Sequence, residues 1–278
     1  MASPMFICYH GALQTRISMC GIDNRFTRLM TLREEGLHAD ALVLLQQLFA
    51  ETAQAIAATR QGHFMLMLEW QFLAELYPPA RHALKNARDE QIRLLLAGDL
   101  HWGRDGGSTP QAEVVFPRAS RFSLIADMND TLGDARSTAE LFAQLDASAP
   151  ELASQYAWQA LPAVVESGNF ALAERYRTAP LAHLDMVNAL AASEPLFPAP
   201  GRPPRLAAEL MNLVKDVRIA VAVLRGQGQG AEADALCAAL LAGLANDAMR
   251  ALAQRELEAP GSITADIVNR QMGQDQQA

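Results

Sequence analysis

His101, Trp102, Arg104 and Asp105 crowd into one stretch, His101-Trp102-Gly103-Arg104-Asp105-Gly106-Gly107-Ser108-Thr109-Pro110, where glycine and polar residues replace any apolar period. An exposed tryptophan beside an arginine is recognition chemistry. Irregular loops on a rigid scaffold are where binding groups concentrate. These four residues, with Arg118 just beyond them, are the candidate binding residues. Trp102 has a second reading, as a plug at the junction of two helical halves, and the ordinary burial of large aromatics favours that reading. Trp70 and Trp158 lie in helical segments and are expected in the core on the same ground.

Catalytic and metal chemistry is hard to assemble from the remaining groups. Among six histidines, His183 has Asp185 two residues on, and Cys8-Tyr9-His10 is a close pair. Neither has the second nearby pair that a four-ligand zinc site needs. There is no Gly-x-Ser-x-Gly elbow, no P-loop and no His-Glu-x-x-His. Glu69, Glu75, Asp127 and Asp130 offer paired carboxylates, but solvated helix faces account for them more simply. Gly226-Gln227-Gly228-Gln229-Gly230-Ala231 after Val217–Leu224 imitates a dinucleotide fingerprint. Yet Leu206, Leu210, Leu213, Val217, Val221 and Leu224 recur at helical spacing, so a helix, a glycine-rich turn and a helix are expected. No catalytic residue, metal or cofactor is assigned.

Bulk properties narrow the class. The net charge of −8 argues against nucleic acid, which needs a basic face. No apolar run approaches the roughly 18–20 residues of a membrane helix. The start, Met1 to Cys8, has no positive n-region, and its apolar run is too short for a signal peptide. Cys8, Cys20 and Cys237 are odd in number and read as reduced thiols. A cytoplasmic protein is expected. Lys85 and Lys215 are the only lysines among 23 basic residues. That bias and the abundant alanine fit a GC-rich bacterial genome and weaken alanine as a helix signal.

Periodicity therefore carries the helix argument. Ala41, Leu45, Leu48 and Ile56 stripe one segment, and Met65, Leu68, Phe72 and Leu76 the next. Pro78-Pro79 stops that helix and starts another, which runs to Gly98. Beyond the glycine-rich stretch, Ser137-Thr138-Ala139-Glu140 and Ser148-Ala149-Pro150-Glu151 each fit a capping box. Pro162 is expected to kink or interrupt the helix after Ser148. Pro195 to Pro204 is a connector, and two more helices are expected, over Arg205 to Arg225 and Ala231 to about Leu257. The fold class is all-α, stacked antiparallel hairpins forming a solenoid-like array or irregular bundle. Its expected parts are an irregular N-terminal extension (1–23), N-terminal hairpins (24–100), a connector (101–119), C-terminal hairpins (120–260) and a tail (261–278).

Four glycines each precede an alanine-rich amphipathic segment: Gly36, Gly133, Gly168 and Gly230. Gly133 and Gly168 are 35 residues apart, close to the tetratricopeptide period of about 34. Over Ser120 to Leu244, and in outline over Gly36 to Gly98, the chain resembles a divergent tetratricopeptide-type array. The Gly168–Gly230 interval of 62 residues departs from that period. The resemblance implies an extended face that holds a peptide or protein, and the acidic charge favours a partner with a basic patch. The expected function is thus a non-catalytic protein- or peptide-binding module of adaptor, chaperone-like or immunity type. The competing class is an all-helical enzyme or small-ligand receptor, with a pocket between the halves lined by His101, Arg104 and Arg118. A third is an architectural homo-oligomer in which Pro195–Pro204 packs across subunits.

Overall fold

The computed structural model describes residues 23–55, 60–104, 119–199 and 202–275. Thirteen α-helices account for nearly all of them, and an isolated β-bridge joins His101 to Ser120. The fold is all-α. None of these helices is long and apolar enough to cross a membrane. The chain forms two compact units, one ending at Leu141 and the other beginning at Phe142.

The N-terminal unit holds α1 (Asp23–Glu34), α2 (His38–Gln54), α3 (Arg60–Leu76), α4 (Pro78–Leu96) and α5 (Arg121–Leu132). Consecutive helices pack as hairpins, and α5 lies against both α3 and α4. On α2 the stripe read from the sequence is buried at Ala41, Leu45 and Leu48, but on α3 only Leu68 of the expected stripe is. Met65 and Phe72 are half-buried, Leu76 is exposed, and Leu66, Met67 and Leu73 make the buried face instead. Pro78 and Pro79 fill the first turn of α4, where their missing N–H groups have no helical partner to lose. The unit continues past the glycine-rich stretch because arginines of α4 tie it to α5 and the turn after α5. Arg88 donates to Asn129 of α5 and, at 3.0 Å, to Asp134. Arg81 donates to the Leu132 carbonyl. The division between compact units falls inside α6 (Ala135–Ser148). Gly133 ends α5 at φ +63°, a left-handed turn that glycine takes without a Cβ penalty.

The helix starts near Ser137 and Ser148 sit in a different register from the expected capping boxes. Asp134 caps α6, accepting from the Ser137 N–H at 3.1 Å and from its hydroxyl at 2.7 Å. Ser148 is the last residue of α6, and its hydroxyl donates back to the Gln144 carbonyl. Ala149 precedes α7 (Pro150–Glu166) without any side-chain cap. Helix α7 also runs unbroken through Pro162. Proline there has no N–H for the Trp158 carbonyl one turn back. Lys215 Nζ donates to that carbonyl at 2.8 Å while lying 3.6 Å from the Trp158 ring centroid. A lysine from another helix thus replaces the missing backbone donor. Trp158 itself is 44% exposed, not core, because its face of α7 also carries the exposed Glu151, Gln155 and Pro162.

The C-terminal unit continues with α8 (Phe170–Tyr176), α9 (Leu184–Ala191), α10 (Arg205–Gly226), α11 (Gly230–Gly243), α12 (Asp247–Glu258) and α13 (Ser262–Asp275). Its organiser is α10, which packs against α7, α8, α9, α11, α12 and α13. Leu206, Leu210, Leu213, Val214, Val217 and Val221 are buried along it, each contributing roughly 1.5–3 kcal/mol on full burial. In a solenoid each repeat touches its neighbours only, so this unit is a bundle around a central helix. No tetratricopeptide-like repeat is evident among the described residues. Gly226 closes α10 against the Phe170 ring, where an added Cβ would lie 2.3 Å from ring carbons. The false fingerprint is thus a packing glycine followed by a turn at Gly228, φ +80°.

The single helix expected from Ala231 to Leu257 breaks at Leu244–Asn246, and Asn246 caps α12 by accepting from Met249 N–H at 2.9 Å. The stretch expected as a tail is α13, with Ile263, Ile267 and Val268 buried. Its start is built on Glu256, only 4% exposed, which accepts from Gly261 N–H, Ser262 Oγ and Ile263 N–H at 2.8–3.0 Å. Charge-assisted acceptance of this kind is about twice as strong as its neutral counterpart. Glu256→Gln, which keeps one acceptor oxygen, is expected to lower stability by about 1–2 kcal/mol. Denaturant unfolding measures the loss, and an unchanged midpoint would show that water caps α13 equally well. Leu196 and Phe197 of the proline-rich connector pack on this unit's own core, with Arg270 over the Phe197 ring.

Candidate functional site

The glycine-rich segment is anchored at several points where it leaves α4 and enters α5. Gly98 takes φ +91° after α4 and Gly103 takes φ +81° within the loop. Backbone bonds hold the chain between them: Arg121 N–H to Leu100 O at 2.9 Å, Trp102 N–H to Ala119 O at 3.0 Å, and Arg104 N–H to Ala55 O at 2.9 Å. Arg121, on the first turn of α5 and 4% exposed, grips the same segment from its side chain. Its Nε donates to Asp99 O at 2.7 Å, and Nη2 donates to His101 O at 2.7 Å and Asp99 Oδ2 at 2.6 Å. Nη1 donates to Gln91 Oε1 of α4. One guanidinium thereby satisfies two backbone carbonyls, a carboxylate and an amide.

Trp102 completes the anchoring. It is fully buried, its ring 5.3 Å from that of Phe49 and 5.4 Å from that of His63 by centroid. It is a core residue of the N-terminal unit and offers no surface to a partner. Among the described residues its indole N–H has no hydrogen-bond partner, a cost of about 1–3 kcal/mol set against the area the ring buries. With Trp102 turned inward, His101 and Arg104 on either side of it are exposed.

Both exposed residues border a cleft of about 760 Å³, open to solvent on one side and formed within the N-terminal unit. Ala53 and Gln54 at the end of α2 supply one wall. Gln91 and Leu94 of α4, residues 98–101, Gly103, Arg104 and Arg121 supply the rest of its described wall. Asp99 is committed to Arg121, whereas no ion pair or side-chain hydrogen bond engages His101 or Arg104 among the described residues. His101 and Arg104 are thus brought together at one cleft. Asp105 and Arg118 lie outside the described residues. Sequence reasoning missed Gln54, Gln91, Asp99 and Arg121. Arg121 alone carried a signal, as a charge set beside Phe122, Leu124 and Ile125 in a helix start.

Two carboxylates assigned to solvated faces are buried or half-buried instead. Glu69 is 2% exposed and pairs with Arg33, whose Nε donates at 2.8 Å and whose guanidinium lies over the Phe72 ring. Asp127, on α5, has its carboxyl pushed up to about 7 by burial, with the neighbouring charge of Asp130 adding to the rise. Its Oδ2 is 3.8 Å from Nε2 of the buried His63. His63 packs edge-on against the Trp102 ring, and neither residue of the pair is among the described residues that line the cleft. Among the described residues, no group of three or more His, Cys, Asp or Glu side chains is placed to hold a metal ion. Nor, among the described residues, does the cleft wall bear a serine, threonine, cysteine, lysine or tyrosine as nucleophile.

Compared with known proteins, the chain matches no family model, no curated protein and no solved structure.

Proposed function

We propose that the chain is a non-catalytic binding module, whose N-terminal unit takes a segment of a partner polypeptide into the cleft beside the Asp99–Arg104 loop. One observation carries the reading: an anchored loop sets His101 and Arg104, both uncommitted, on an open and largely polar cleft. Groups held in place before binding lose little entropy on association. A small-ligand receptor would instead enclose most of its ligand in a mainly apolar cavity. Acyl or phosphoryl transfer would need a nucleophile and a base within reach, and the described part of the cleft wall offers His101 as a base with no nucleophile beside it. The net charge of −8 bears on long-range encounter, favouring partners with a basic face. The cleft bears on what is gripped.

The test is affinity capture from the native cell lysate, with the chain and its His101→Ala/Arg104→Ala variant as parallel baits. The expected result is one stoichiometric polypeptide retained by the parent, depleted on the variant and crosslinked near residues 99–104. A small molecule co-purifying in place of any polypeptide would overturn the reading in favour of a receptor or enzyme.

A further inference from the structure

We infer that the segment seated in the cleft presents an acidic side chain, gripped by the Arg104 guanidinium with the His101 imidazole beside it. The inference rests on the binding-module reading and adds the chemistry of the ligand. Among the described residues, the acidic groups near the cleft are already engaged. Asp99 is held by Arg121 at 2.6 Å, and Glu51, near the same end of α2, is paired with Arg25 at 2.6 Å. The acceptor of Gln91 is also occupied, by Arg121. The uncommitted side chains on the wall are Arg104, His101 and Gln54, all of which can donate hydrogen bonds. Arginine has five N–H groups in a planar fork that matches a carboxylate with two parallel bonds.

The setting favours directed contact over loose charge attraction. Arg104 is held through its own backbone by Ala55, and His101 through its carbonyl by Arg121, so their side chains extend from fixed points. A chain of net charge −8 repels acidic peptides at long range, but beyond about 8 Å that field is screened at physiological salt. The local guanidinium then decides.

The probe is a fluorescein-labelled set of acetylated, amidated heptapeptides with glutamate at the centre and varied flanks, against the same set with glutamine. Fluorescence anisotropy reads affinity, and amide resonances of residues 98–104 report where binding occurs. Glutamate peptides are expected to bind at least about tenfold more tightly than their glutamine twins, the scale of one charge-assisted hydrogen bond. Arg104→Ala is expected to abolish that preference and Arg104→Lys to restore it in part, with far-ultraviolet circular dichroism unchanged. Equal binding of both sets at residues 98–104 overturns the acidic-ligand inference and leaves the binding module standing. Binding by neither set overturns both. Free glutarate displacing the peptides at equal concentration would move the recognised carboxylate to a small molecule and so overturn the peptide source.

Discussion

Replacing Arg121 with leucine is expected to lower the stability of the N-terminal unit by about 2–4 kcal/mol, the result of leaving several acceptors, Gln91 buried among them, without their donor. Four acceptors lose their donor at once: the Asp99 carbonyl and carboxylate oxygens, His101 O and Gln91 Oε1. Asp99 is half exposed and recovers water, but Gln91 is buried and does not. The loss reads most clearly in tryptophan fluorescence, because Trp70 and Trp102 are buried in this unit whereas Trp158 is exposed in the other. Amide exchange adds a second reading. The N–H groups of Trp102 and Arg104 are expected to lose protection in the variant ahead of those in α2 and α3. Arg121→Lys keeps the charge without the fork and is expected to fall between the two. An unfolding midpoint equal to the parent's, with the loop amides still protected, would show that the backbone bridges hold the segment alone. The cleft would then owe nothing to Arg121.

That dependence explains which parts of the site were legible. His101 and Arg104 stand in a stretch where the helical period lapses, and lapse of period is a local signal. What holds them is not local. Arg121 meets Gln91 across thirty residues of chain, and nothing in either neighbourhood names the other. The same division runs through the fold. Apolar spacing exposes α2, α3, α4 and α10 because one face of each meets a core, whatever that core contains. Pro162 reads as an interruption because its local effect is real, while the donor that repairs it belongs to Lys215 in α10. The Ser137 and Ser148 boxes match a pattern, yet Asp134 stands one residue before α6 and takes the cap three residues earlier. Ile263 and Ile267 lie four apart, as a helix needs, but the segment is short and its cap, Glu256, lies on the preceding helix. Trp102 reads in the sequence as either contact or plug. The ring of Phe49 and that of His63 decide for the core, and neither is near it in sequence.

The His63–Asp127 pair leads to a second large effect, one of pH. Burial raises the folded-state pKa of Asp127 to about 7, well above the unfolded value near 3.9. A raised carboxyl binds its proton more tightly folded than unfolded, so between about pH 4 and 7 the native state holds a proton that the unfolded chain has released. Stability is therefore expected to fall as pH rises through that window, and the stabilising share is fully present only below the unfolded pKa. The amide of Asp127→Asn imitates the protonated carboxyl and carries no such titration. Parent and variant are expected to be alike near pH 4 and to diverge above it. By pH 8 the variant is ahead by about 2–4 kcal/mol, three pKa units at 1.36 kcal/mol each less what the side chain's 24% exposure screens away. Urea unfolding at pH 4, 6 and 8 measures the divergence. His63 decides the opposite case. Its Nε2 lies 3.8 Å from Asp127 Oδ2, and an imidazolium there would hold the carboxyl ionised. Asp127→Asn would then be the less stable protein at pH 6, and the carboxyl would be one half of a buried ion pair rather than a buried acid.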